Sequence, residues 1–250
     1  MKRYFTPLLL VLTTLTATAQ DVIKTAPAQD ATKPASKIWW LQLQVGGGIN
    51  NAFDMRGELN TPSIETTTNQ YIKYNNISGF YTIGISGMKL FGEQLLLGGS
   101  LNYGMILKQT TGDIAEFTTS TYNGMLNIGD LLYNKDGLML YPYGGVGYSI
   151  YSMDVKNVST SGATVAFDLN NPIAAGEKKT YTTDYVMFEL ALGVKKVLNP
   201  NFTVGLDAGL YFSSTYGGDW RNDGSAISSH KAPGSNGGFA RLTLSYGLFQ

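Results

Sequence analysis

The sequence contains no cysteine. That absence excludes a disulfide framework, any thiolate metal site and a lipidated cysteine as a membrane anchor. Histidine occurs once, as His230, and basic and acidic side chains balance at 18 each. The balance leaves no basic patch for nucleic acid, and neither a metal nor a cofactor is expected. Beyond the first 20 residues no apolar run approaches the roughly 20 residues that a membrane-crossing helix needs. Charged residues amount to only 14 %, whereas glycine (30), tyrosine (16) and phenylalanine (11) are plentiful. A β protein, either soluble or membrane-embedded, is the class that remains.

The chain opens with Lys2 and Arg3, continues through an apolar stretch from Phe5 to Leu15, and reaches Ala17-Thr18-Ala19 before Gln20. A basic start, a short apolar centre and an Ala-x-Ala site make up a secretory signal peptide, expected over residues 1–19. Residues 20–38 hold Ala, Pro, Thr, Lys and Asp without hydrophobic period, a composition too polar to fold by itself. This stretch is expected to be a disordered periplasmic tether, leaving residues 39–250 to form the folded body.

Period-two alternation is clearest from Gln94 to Lys108. There Leu95, Leu97, Gly99, Leu101, Tyr103, Met105 and Leu107 oppose Gln94, Gly98, Ser100, Asn102, Gly104 and Lys108. One apolar and one mostly polar face mean a strand, because a helix would scramble the pattern. The pattern recurs over Phe202 to Phe212 and Gly238 to Phe249. Weaker copies run over Trp40 to Ile49, Gly79 to Leu90, Thr119 to Leu132, Leu138 to Met153 and Asp184 to Lys196. Eight segments result, and each of the clear ones is long enough to supply the roughly 9 to 11 residues that a tilted strand needs to cross a bilayer.

The joins alternate in length. Phe91-Gly92-Glu93, Asn134-Lys135-Asp136-Gly137 and Asn199-Pro200-Asn201 are short and carry turn chemistry. Long joins run from about Asn50 to Ser78, Gln109 to Thr118, Val155 to Thr183 and Ser213 to Gly237. Short periplasmic turns, long outer loops and an even strand count are the pattern of a transmembrane barrel. A soluble lipocalin-like barrel would alternate too, with its apolar face turned inward. Loop asymmetry, the leader and the aromatic content favour the membrane. The expected fold is therefore an all-β, eight-stranded antiparallel transmembrane β-barrel in the cell outer membrane. Ten strands are the alternative, should Tyr71–Asn76 or Ala163–Leu169 pair separately instead of extending their neighbours.

The run Tyr141-Pro142-Tyr143-Gly144-Gly145-Val146-Gly147-Tyr148 resembles a strand type of the OmpA/OmpX-like superfamily of small outer-membrane barrels. The resemblance spans about Trp39 to the end, and it implies a fold and a location rather than a task. Barrels of this kind usually close on an aromatic residue read by the barrel-assembly machinery, an expected partner during biogenesis. Here Phe249 is followed by Gln250, and by parity Phe249 belongs to the inward series.

With the apolar faces toward lipid, Glu189, Asp207 and Arg241 point into the lumen. Charges in so narrow a space must pair, so Arg241 is expected to bridge Asp207, Glu189 or both. The result would be a polar plug, because eight strands leave a lumen that side chains can fill. His230 stands beside Ser228 and Ser229, with Asp219 and Asp223 nearby, so a serine-histidine-aspartate arrangement has to be weighed. A loop histidine among small polar residues is more simply solvated. Gly144-Gly145-Val146-Gly147 lacks the following helix that a phosphate-binding loop requires. Tyr103, Tyr122, Tyr133, Tyr148, Phe91, Phe202 and Phe212 are expected at the two water interfaces. Phe53, Tyr71, Phe167, Tyr181, Tyr216 and Trp220 are placed in loops, where binding tends to reside.

The expected function is non-enzymatic: binding or envelope support through extracellular loops, with the lumen plugged. Partners are outer-membrane lipid and lipopolysaccharide, and an extracellular ligand that the sequence leaves unnamed. Two alternatives stand, a narrow channel for small solutes and a barrel enzyme acting on lipid A or peptides.

Overall fold

The computed structural model describes residues 38–51, 77–111, 115–162, 164–165, 172–214, 219–222, 224–231 and 236–249. Its strands are β1 (Trp39–Asn51), β2 (Ile77–Phe91), β3 (Leu95–Thr111), β4 (Ala115–Asp130), β5 (Tyr133–Lys135), β6 (Leu138–Asn157), β7 (Lys178–Asn199), β8 (Phe202–Ser214), β9 (Asp219–Asn222), β10 (Ser225–Lys231) and β11 (Asn236–Leu248). Eight of them close a ring in the order β7-β8-β11-β1-β2-β3-β4-β6, and β6 pairs back to β7. Every pairing is antiparallel. The ring contains each of the eight segments read from the alternation. Closure leaves no strand edge exposed at membrane depth, which is what a sheet in hydrocarbon requires.

The faces sort as the alternation implied, and the soluble alternative fails on this point. Leu41, Leu43, Val45, Leu101, Leu126, Leu190, Leu206, Leu242 and Leu244 are exposed on the outer wall, whereas Gln42, Gln44, Ser100, Asn102, Asp207, Arg241, Thr243 and Ser245 are buried inside. A barrel that turns leucine outward and glutamine inward needs lipid around it. On β7 the outward series runs Val186, Phe188, Leu190, Leu192, Val194, bounded by Asp184 above and Lys196 below. The twelve steps between those charges, at about 3.3 Å each and a tilt of about 40°, rise about 30 Å, the hydrocarbon thickness of a bilayer. Trp39, Phe202 and Tyr246 meet at the lower rim, with centroids 6.4 and 5.2 Å apart. Tyr103 and Tyr122 face each other near the upper rim at 4.9 Å. The chain is thus a transmembrane barrel of outer-membrane type, with both ends of the described barrel on the short-turn side.

The lower turns are tight. Asp136 and Gly137 take φ values of 55° and 71° between β5 and β6. Two residues with positive φ between antiparallel strands form a primed turn, whose twist matches the strands. The expected ten-strand alternative does not occur, since the ring has eight members. Val165 bridges Ile173 within its own long loop instead of extending a neighbouring strand, and Tyr71–Asn76 lies outside the described residues. The last long join is not plain loop either. It carries the hairpin β9–β10, which pairs with β7 through Tyr181↔Asn222 and Thr182↔Arg221.

Candidate functional site

The lumen is built in three storeys. At the periplasmic end Ile38, Trp40, Met88, Leu96, Met139 and Phe249 belong to one buried cluster. Phe249 stacks on Trp40 with centroids 6.3 Å apart, so its inward parity places it in this lower plug. These positions are inward because the alternation carries through to the strand ends. Their apolar character there closes the barrel below without asking for hydrogen-bond partners.

The middle storey holds the charges. Arg241 of β11 meets Glu189 of β7 in a two-pronged contact, Nη1 donating to Oε1 at 2.9 Å and Nη2 to Oε2 at 2.8 Å. Both residues are buried, and the hydroxyl of Tyr143 donates to the same carboxylate at 3.3 Å. Fork-to-carboxylate geometry is the strongest form of such a pair. The guanidinium also lies over the Phe239 ring, 3.8 Å from its centroid. Asp207 is Cα partner to Arg241 across β8 and β11, yet its hydrogen bonds go elsewhere. It accepts from the Tyr141 hydroxyl at 2.8 Å and from Gln42 Nε2 at 3.3 Å.

The residue that the sequence reading left out of this network is Lys195. It is fully buried, and its Nζ donates to Gln42 Oε1 at 2.5 Å, Ser245 Oγ at 2.8 Å and Thr243 Oγ1 at 3.2 Å. Trp40 and Tyr141 turn ring faces toward it at 5.4 and 5.8 Å. Gln42 joins the second pair, accepting from Lys195 at one end and donating to Asp207 at the other. Among the described residues the buried charges are therefore Glu189, Asp207, Arg241 and Lys195, two of each sign. Charge balance was the available signal, because two inward acids and one inward arginine leave an acid without a cation, and Lys195 shares their parity.

Above the Arg241 pair lies a chamber of about 60 Å³ lined by Phe80, Tyr151, Tyr185, Tyr211, Asn123 and Arg241 among others. Below the pair, a void bordered by Gln42, Glu189, Asp207 and Arg241 measures about 10 Å³. One water needs about 10–15 Å³, so the lumen narrows at this level to the room of a single water at most.

The upper storey stands at the extracellular end. Phe117, Tyr151, Met153, Val155, Val165, Ile173, Tyr181 and Trp220 form one buried cluster. Tyr181 and Trp220 were expected as loop aromatics. Instead Tyr181 sits on β7 and Trp220 on β9, both turned into this cluster. Phe53, Phe167 and Tyr216 lie outside the described residues, as does Asp223 and as do the side chains of Asp219, Ser228, Ser229 and His230. Asn157 anchors the base of the third long loop. Its side chain donates to Ile173 O at 2.8 Å and accepts from Ser159 N at 2.9 Å, and its main chain bonds Glu177 and Gly176.

No protein-family model and no curated protein matches the sequence. Solved structures similar in fold include the attachment invasion locus protein Ail of Yersinia pestis, 11 % identical over 85 % of this chain and 99 % of that one, with a TM-score of 0.42. A major outer membrane protein from Thermus thermophilus is 12 % identical over 84 % of this chain and 100 % of that one, at 0.45. The outer membrane protease OmpT of Escherichia coli is 10 % identical over 87 % and 99 %, at 0.36.

Proposed function

We propose that this chain is a non-enzymatic outer-membrane barrel that acts by binding, or by supporting the envelope, through its extracellular part. The lumen in this reading is a structural plug. The observation that carries it is the closure at Arg241, where a doubly hydrogen-bonded ion pair leaves about 10 Å³ beneath. A channel needs a continuous water path, and a buried pair of this geometry is costly to open because it would leave a charge unpaired. Above the plug, the strands rise past the upper tyrosines into a sheet with its own apolar core, a rigid platform for loops. Outer-membrane lipid and lipopolysaccharide would surround the wall, with Arg221 and Lys178 at the outer rim. The assembly machinery would read the outward Leu242, Leu244, Tyr246 and Leu248 of β11. Residues 1–19 would direct export, and residues 20–38 would serve as the periplasmic tether.

The test is single-channel conductance of the refolded mature chain in a planar bilayer, beside Arg241→Ala. Silence from the parent with steps in the variant supports the plug. Reproducible steps in the unmodified protein would make it a pore and overturn the reading.

A further inference from the structure

Gln42 of β1 is engaged at both ends of its amide, and each neighbour acts on it differently. Its Oε1 accepts from Trp40 Nε1 at 3.0 Å, from Lys195 Nζ at 2.5 Å and from Ser245 Oγ at 3.5 Å. Its Nε2 donates to Asp207 Oδ2 at 3.3 Å and to Gln44 Oε1 at 3.5 Å. An indole N–H and an ammonium can only donate and a carboxylate can only accept, so these partners fix which end of the amide is oxygen. All three principal side chains are enclosed, Lys195 at 0 %, Asp207 at 1 % and Gln42 at 4 % exposure.

These are the parts of an acyl transfer. Lys195 supplies an amine nucleophile. With a C=O bond of about 1.23 Å, its 2.5 Å contact with Oε1 puts Nζ within about 3.7 Å of Cδ, against roughly 3–3.5 Å for atoms poised to react. Trp40 Nε1 and Ser245 Oγ are aimed at the oxygen on which charge gathers when an amide carbon is attacked. Asp207 touches the nitrogen that has to leave, where a carboxyl group can pass it a proton. The void that Gln42 and Asp207 border measures about 10 Å³. That is room for one water-sized molecule at most, which restricts competing hydrolysis and suits a departing ammonia.

We propose that Lys195 and Gln42 join in an intramolecular isopeptide bond, made by the folded barrel itself, that ties β7 to β1 across the lumen. The Nζ lone pair forms the new bond to Cδ, the Cδ–Nε2 bond breaks, and its electron pair leaves on nitrogen as ammonia. Of the two protons that the lysine ammonium sheds, one departs on the ammonia and one remains on Asp207. No oxidant or other reactant is consumed. The exchange replaces a buried ammonium and a buried carboxylate by two neutral groups, which removes the desolvation cost of charges held in the lumen. β8 and β11 separate β7 from β1 in the ring, so the bond is a strut through the interior and duplicates no backbone pairing. It concerns the inside of the barrel and stands or falls separately from the function proposed above.

The test is tryptic mass spectrometry of the mature chain, either kept in urea or refolded into lipid vesicles and sampled over time. An acylated Lys195 resists trypsin, so residues 38–56 are expected joined to residues 180–196, lighter by one ammonia than the two peptides together. The joined peptide is the readout because an N-terminal glutamine also loses ammonia and would mimic the change in intact mass. It is expected in the folded chain, absent from the chain in urea and from Lys195→Arg, and at least about a hundredfold slower to form in Asp207→Asn. Should either variant fail to fold by circular dichroism, the comparison of folded and urea-held parent decides alone. A folded parent that yields only the separate peptides would overturn the proposal, as would a joined peptide that forms in urea or, in Asp207→Asn, at the parent's rate.

Discussion

At the scale of single residues, the lumen shows why a buried ion pair is hard to dismantle from one side. Glu189 is almost wholly enclosed, and two of its three recorded hydrogen bonds come from Arg241. Arg241→Ala would leave the carboxylate buried with the Tyr143 hydroxyl as its recorded donor. Loss of one partner of such a pair costs about 3–5 kcal/mol. The expected outcome is a fall of that size in urea unfolding measured in detergent micelles, with much of it recovered when Glu189→Gln is added. If the single and double variants unfold alike, the carboxylate is not the source of the cost. Gln42 makes the opposite kind of link, joining Lys195 to Asp207 without a charge of its own. Gln42→Leu keeps the shape, removes both contacts and is expected to destabilise by about 1–3 kcal/mol in the same assay, the cost of leaving buried polar groups unsatisfied.

At the scale of elements, depth in the membrane decides what a substitution does. Leu242 lies in mid-strand on the outer face of β11, whereas Leu248 pairs with Trp39 at the lower rim. Arginine at mid-bilayer on a lipid-facing strand costs about 2–4 kcal/mol and near an interface about 0–1. Leu242→Arg is therefore expected to lower stability in lipid vesicles far more than Leu248→Arg, and equal losses would mean that the band is misplaced. These strands were legible because an outward leucine and an inward polar residue alternate without regard to neighbours, as in Leu95 to Met105. Parity also carried Phe249, Glu189, Asp207 and Arg241 to the lumen. What it could not supply was which acid Arg241 takes. Asp207 is nearer in register, yet Glu189 receives the fork, a choice set by side-chain reach across the closed ring. The hairpin β9–β10 was illegible for another reason. Its residues, Asp219 to Lys231, are mostly polar and without alternation, and it is held by the register of β7 and by Trp220 finding a cluster formed from distant strands.

For the whole molecule, closure of an even number of strands fixes sidedness. β1 and β11 pair along their length, Trp39 opposite Leu248, so the two ends of the barrel leave it side by side at the rim of short turns. That rim also carries Lys89 and Lys196, outward-facing lysines that reach toward lipid headgroups. The opposite rim carries the tall strands, with β6 and β7 continuing past the apolar band to Asn157 and Lys178. Gly224, at φ 80° in the turn between β9 and β10, is exposed there. An epitope inserted at Gly224 should consequently be labelled by antibody on intact cells, and one appended after Gln250 only once the outer membrane is permeabilised. The reverse pattern would invert the barrel and place the upper cluster around Trp220 on the periplasmic side. Labelling of both sites on intact cells would mean that the chain does not span the membrane as a closed ring.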